Sequence, residues 1–127
     1  LILKKYFVAI ALIAIIAACN NEVKKDPIAE KPKEDLSANP DYQKGLELIA
    51  KSNCLTCHKI SEKLVGPAYR DIANKYTADE NTISMLADKI IKGGSGVWGQ
   101  IPMLPHPEIS KADAEQMAKY VLLLKNK

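Results

Sequence analysis

Cysteine, histidine and surplus charge are all scarce in this 127-residue chain, which has three Cys, two His and a formal net charge of +3. Each shortage excludes something. A surplus this small is too weak a bias to argue for nucleic-acid binding, which rests on many phosphate contacts. Two cysteines stand three positions apart in one motif and the third lies near the N-terminus. Residues 42–127 therefore have no disulfide framework, although a core of that size is marginal without a cross-link, a metal or a cofactor. No segment alternates apolar and polar residues as a strand does, and no repeat recurs. That argues against a βαβ redox fold or a solenoid. The one long apolar run has thirteen residues, where about 20 are needed to cross a bilayer.

That run, residues 6–18 (YFVAIALIAIIAA), follows Lys4 and Lys5 and has the length of the apolar region of an export signal. It leads into IIAAC at 15–19, which resembles the processing box of bacterial lipoproteins: an aliphatic residue, two small residues and a cysteine. The resemblance implies removal of residues 1–18 as a signal peptide and attachment of a diacylglyceryl group to Cys19. One acyl chain holds a membrane marginally, and two or more hold it stably. Over 20–41, prolines at 27, 32 and 40 stand among charges of alternating sign with no aromatic residue. Such a stretch has no face to bury and reads as a flexible linker behind the lipidated cysteine. Residues 42–127 are then the single folded domain. It is expected to be exported, lipid-anchored to a bacterial membrane and facing the periplasm or extracytoplasmic space.

Within the domain, helical periodicity recurs over 42–51, 69–76, about 79–92 and about 111–125. The first face gathers Tyr42, Leu46, Ile49 and Ala50, and the second Tyr69, Ile72, Ala73 and Tyr76. The third gathers Ile83, Leu86, Ala87, Ile90 and Ile91, and the fourth Met117, Tyr120, Val121 and Leu124. Thr77 with Glu80 reads as a capping box for the third helix, Gly93 and Gly94 as its end, and Ser110 with Asp113 as the start of the fourth. Between them, GSGVWGQIPMLPHPE carries prolines at 102, 105 and 107, which forbid helix. The fold class is all-α. Four short helices hardly make a core large enough to cover Trp98, Ile101, Met103 and Leu104 of that loop as well. A large flat apolar cofactor would.

The segment CLTCH at 54–58 names the cofactor. C-x-x-C-H is the signature of covalent haem attachment. Cys54 and Cys57 on one turn can each form a thioether with one of two neighbouring vinyl groups, and His58 then turns its imidazole to the iron. A thioredoxin-like pair is the second reading, but it needs strands and gives His58 no role. Half a zinc site is the third, with His106 as a distant fourth ligand, but adjacent residues 57 and 58 fit a tetrahedron poorly. For the second axial position the candidates are Met85, Met103, Met117 and His106. Met85 and Met117 sit at helical positions that suit core packing, and His106 reads as an exposed loop residue. Met103 lies between Pro102 and Pro105, which stiffen its backbone. A methionine ligand raises the reduction potential relative to a second histidine, and a filled sixth site favours electron transfer over chemistry on a bound substrate.

Together CLTCH, VGPAYRDIANKY at 65–76, IIKGGSGVWGQIPM at 90–103 and the closing helix resemble the class I c-type cytochromes, above all the small bacterial c551/c552 type. The resemblance covers nearly all of 42–127. It implies about four short helices wrapped around one covalent haem c, with His58 proximal and Met103 distal. It implies that the Pro67 carbonyl receives the proton of the outer His58 nitrogen, and that Trp98 packs beside the haem and can donate to a propionate. Gly45 and Ile49 match the crossing of the first and last helices near Tyr120. Ile49 stands where many relatives carry an aromatic residue. The implied function is one-electron transfer in a bacterial respiratory chain by a monomer that is not an enzyme. Its partners would be redox proteins such as a quinol-oxidising complex, a terminal oxidase or a nitrite reductase. Lys51, Lys59, Lys63, Lys92 and Lys111 are candidate steering charges. The alternatives are a catalytic or ligand-binding haem module with a displaceable distal ligand, and a lipoprotein that needs haem only to fold.

Overall fold

The computed structural model describes residues 35–126. The lipidation candidate Cys19 and the signal segment lie outside them. The first helix, α1, spans Pro40–Lys51 and starts two residues before the periodicity suggests. Pro40 occupies its first turn, and the Asn39 side chain accepts from the backbone N–H groups of Asp41 and Tyr42 at 2.9 and 3.2 Å. Proline is suited to that position because its missing N–H would have no helical partner there. A 3-10 turn over Leu36–Ala38 precedes it, capped by Asp35. Residues 35–41, which read in sequence as the end of the linker, thus carry ordered structure supported by local side-chain caps.

Helix α2 spans Tyr69–Lys75, α3 spans Glu80–Lys92 and α4 spans Lys111–Leu123. The N-cap of α3 is Asp79, whose carboxylate accepts from the Thr82 N–H at 2.8 Å. This corrects the Thr77–Glu80 capping box: a carboxylate three residues before Thr82 does the same work. Gly93 ends α3 with φ +69°, a conformation that costs glycine least. Ser110 caps α4 as expected, accepting from the Asp113 N–H at 3.1 Å.

Helix α4 is the centre of the fold, with α1, α2 and α3 packed against it. Met117, Tyr120, Val121 and Leu124 are buried on it, joined by Ile49 of α1, Tyr69 of α2 and Ala87 of α3. The other apolar residues of the α3 stripe are half-buried. Two expected core residues are not in the core. Ala50 is exposed, and Met85 is 37% exposed on the outer side of α3. Ala50 lies at the margin of its helical stripe, whereas Met85 lies on the side of α3 opposite its apolar stripe. Ile109 is a core residue that the periodicity missed because it precedes the helix. It stands just before the Ser110 cap and clusters with Ala114 in the core, the arrangement of a hydrophobic staple.

At the crossing of α1 and α4, Gly45 is buried. A Cβ there would run into the Tyr120 side chain and lie 2.8 Å from the Gln116 carbonyl oxygen. Gln116 donates across the same crossing to the Asp41 carboxylate at 2.9 Å. Among the described residues the extended backbone pairs only at Gly94 and Met103.

Candidate functional site

Cys54–Thr56 forms a 3-10 turn directly after α1. Asn53, in the left-handed region at φ 56°, turns the chain out of the helix, a role asparagine fills more readily than most residues. The N–H groups of Cys57 and His58 both donate to the Cys54 carbonyl, at 3.2 and 3.0 Å. That closes residues 54–58 into one compact turn. Both cysteines are free thiols, with Cys54 half-buried and Cys57 exposed. Burial pushes the Cys54 thiol above its ordinary pKa, and the neighbouring Cys57 adds to the rise. A reactive redox pair needs the opposite, a stabilised thiolate. Among the described residues no three His, Cys, Asp or Glu side chains converge into a metal-holding group. His106 is engaged elsewhere, with its Nδ1 3.2 Å from the Glu108 carboxylate. The zinc reading lacks its ligand set, and the redox reading lacks the strands it needs, among the described residues.

His58 is 8% exposed. Its Nδ1 lies 2.8 Å from the Pro67 carbonyl oxygen. A carbonyl can only accept, so Nδ1 carries the proton and Nε2 keeps its lone pair. The chain returns to make this bond through a tight segment in which the Gly66 N–H donates to the Cys57 carbonyl at 2.8 Å. Gly66 passes so close to His58 that a Cβ would collide with the imidazole ring. The ring also stacks on Tyr69, with centroids 5.2 Å apart and planes at 17°. Tyr69 meets Tyr120 edge-on at 6.3 Å, and Tyr120 meets Tyr42 at 5.0 Å. Burial raises the Tyr69 hydroxyl well above its ordinary pKa and that of Tyr120 to about 12, so both stay neutral. Gly66 and the Tyr69 backing were not identified from sequence as parts of the site. The glycine immediately before Pro67 was the available signal.

Met103 is held on a separate loop. Its N–H donates to the Gly94 carbonyl at 2.9 Å, and its carbonyl accepts from the Gly94 N–H at 3.1 Å. The His106 N–H donates to the carbonyls of Ile90 and Ile91, at 3.2 and 3.1 Å, which fastens the chain beyond it to the end of α3. Gly93 is buried there, where a Cβ would collide with the Met103 carbonyl. Met103 itself is half-buried, while Met117 is 1% exposed and locked in the core. Trp98, at the loop tip, is 37% exposed and lies 5.6 Å from the Lys75 ammonium, measured to the ring centroid.

The structure thus joins Cys54, Cys57, His58 and Pro67 in one bonded unit and puts Met103 and Trp98 on another. These residues fit a haem. Two thiols flank a histidine whose lone pair is directed to Nε2 by a proton fixed on Nδ1. Leu55, Leu64 and Val65 near the first unit, and Val97, Ile101 and Leu104 near the second, stand outside the helical core as apolar surface.

The cytochrome c family matches residues 42–125. The chain is 48% identical over 83 residues to cytochrome c-552 of Nitrosomonas europaea, covering 65% of this chain and 81% of that protein. It is 44% identical to cytochrome c-552 of Hydrogenobacter thermophilus, covering 62% and 80%. The crystal structure of the Nitrosomonas europaea protein superposes with a TM-score of 0.59 at 49% identity, covering 63% of this chain and 99% of that one.

Proposed function

The chain belongs to the cytochrome c family, in its class I c551/c552-like branch, and from that premise we propose that His58 and Met103 are the axial ligands of its haem and that Cys19 carries a membrane anchor. The protein is a one-electron carrier with a single covalently attached haem c, and not an enzyme. When bound, that haem supplies a ferric/ferrous couple which takes and returns one electron. Everything else is the work of the chain.

Cys54 and Cys57 are the two thioether positions, placed on one turn. His58 offers Nε2 to the metal, and the observation that carries this assignment is the 2.8 Å contact of its Nδ1 with the Pro67 carbonyl. Such a bond fixes ring orientation and makes the other nitrogen a stronger donor. For Met103 the support is the two-way backbone pairing with Gly94, which holds the residue in place whether or not its sulfur is engaged. A ligand held in both oxidation states leaves little to rearrange during transfer. That feature favours the carrier over a module with an easily displaced distal ligand.

The oxidised protein should show the charge-transfer band of iron bound to methionine sulfur. Met103→Leu should abolish the band and His106→Gln should keep it. A high-spin wild type, or a band that survives in Met103→Leu, would overturn the assignment.

No helix among the described residues is long and apolar enough to cross a membrane. The lipid anchor rests on the IIAAC box at 15–19. A mature N-terminal peptide bearing an unmodified Cys19 would sink it. Redox partners in the respiratory chain follow from the family. A quinol-oxidising complex as donor, with a terminal oxidase or nitrite reductase as acceptor, is our finer reading.

A further inference from the structure

The loop that carries Met103 is fastened at its base and nearly free above it. Gly94 and Met103 pair with each other, and the Gly96 N–H donates to the Gly99 carbonyl at 2.8 Å inside the loop. Among the described residues, no hydrogen bond ties 95–102 to any other element. With so few hydrogen bonds, the position of the loop tip depends on what its side chains touch.

A contact from α2 reaches its tip. The Lys75 ammonium lies 5.6 Å from the centre of the Trp98 ring and 5.9 Å from that of Tyr76, both within cation–π range. Lys75 is the last residue of α2, where the helix dipole also favours a cation. The first residue of α2 is Tyr69, which stacks on His58, and Pro67 just before it takes the His58 proton. A seven-residue helix about 10 Å long therefore runs from the support of one proposed ligand to the tip of the loop that bears the other.

We propose that Lys75 is a positioning residue: its ammonium, seated against Trp98 and Tyr76, latches the tip of the Met103 loop to α2 and so restrains Met103 from leaving the iron. The latch adds a second point of attachment to the Gly94 pairing. It takes the form of a charge over aromatic faces, which tolerates small sliding motions that a hydrogen bond would not. The inference rests on Met103 being the distal ligand, and its test separates the two.

The holoprotein is compared with Lys75→Met, which keeps the aliphatic stem and removes the charge, and with Lys75→Arg, which keeps the cation. Two quantities are read. The first is amide hydrogen exchange at Met103 and Gly94, which reports loop opening whatever the ligand. The second is the limiting rate at which added imidazole binds the ferric protein, which reports departure of the distal ligand. In Lys75→Met both should rise about two- to five-fold, the scale of an exposed cation–π contact. Lys75→Arg should restore both. In a Trp98→Leu background Lys75→Met should add nothing, since the two residues share one interaction. Unchanged amide exchange in Lys75→Met overturns the latch. So does failure of arginine to restore it, or an equal acceleration in the Trp98→Leu background, which would make the effect one of charge at a distance. The Met103→Leu spectrum decides the ligand assignment separately.

Discussion

Gly45 and Gly66 show how much of this protein depends on two missing methyl groups. Gly45 lets α1 lie directly on Tyr120, and Gly66 lets the backbone pass across the face of His58. Gly45→Ala gains helix propensity but drives a Cβ into Tyr120 and the Gln116 carbonyl. Overpacking should win and destabilise the domain by about 1–3 kcal/mol, read as a lower denaturant midpoint with an unchanged slope. A midpoint at or above that of the wild type would show that the crossing can relax. At this scale the sequence was informative where chemistry is local. CLTCH announces its role through spacing and residue type, and that of Pro67 comes only through the resemblance. Gly66, Tyr69 as a backing ring and Lys75 do not announce theirs, because their roles come from what the fold brings within a few ångströms.

Between elements, the tie of α4 to α3 runs through Lys111. Its ammonium lies 2.7 Å from the Asp88 carboxylate and donates to the Ser84 carbonyl at 2.8 Å. Lys92 joins the same carboxylate at 2.9 Å. Hydrogen bonds from Lys111 and then Lys92 hold the Asp88 pKa at about 2, below its ordinary 3.8. A pKa lowered by folding means that the contribution is complete above about pH 4 and is lost as pH falls towards 2. Asp88→Asn should therefore flatten the acid limb of the stability profile between pH 4 and 2, and the two profiles should differ least near pH 2. A mutant with the wild-type slope there would remove Asp88 from the account. The helices themselves were legible from their apolar periods. The Gly94–Met103 pairing and the 3-10 turns were not, because two or three residues carry no period.

Across the whole molecule, the charges that seemed available for steering are mostly committed. Lys51 pairs with Glu47, Lys59 with Glu62, and both Lys92 and Lys111 with Asp88. Of the five candidates, only Lys63 takes part in no ion pair among the described residues. Paired surface charges project a weaker field, so electron exchange with a partner should depend only mildly on ionic strength. The core is equally telling. It is gathered around α4, while the apolar residues around the site lie outside it. Cys54→Ala combined with Cys57→Ala should therefore leave a chain that unfolds without a cooperative transition. A sharp, haem-free transition monitored by circular dichroism would refute this. The need for a large apolar group could be read in advance from too few helices and too apolar a loop. The crossing of α1 and α4 at Gly45 near Tyr120 was implied by the resemblance and is where the structure places it; the tie of Gln116 to Asp41 made there could not be read, since it joins residues more than seventy positions apart.

The row of rings from His58 through Tyr69 and Tyr120 to Tyr42 also sets an order of events in the life of the chain. The turn that receives the haem is made before α2, α3 and α4. Tyr120, which braces the ring behind it, comes only with α4. A growing chain therefore displays its attachment cysteines on an unbraced turn and can complete the cradle only when α4 is free. Any truncation that removes α4 would leave the attachment signal readable and the finished carrier unattainable.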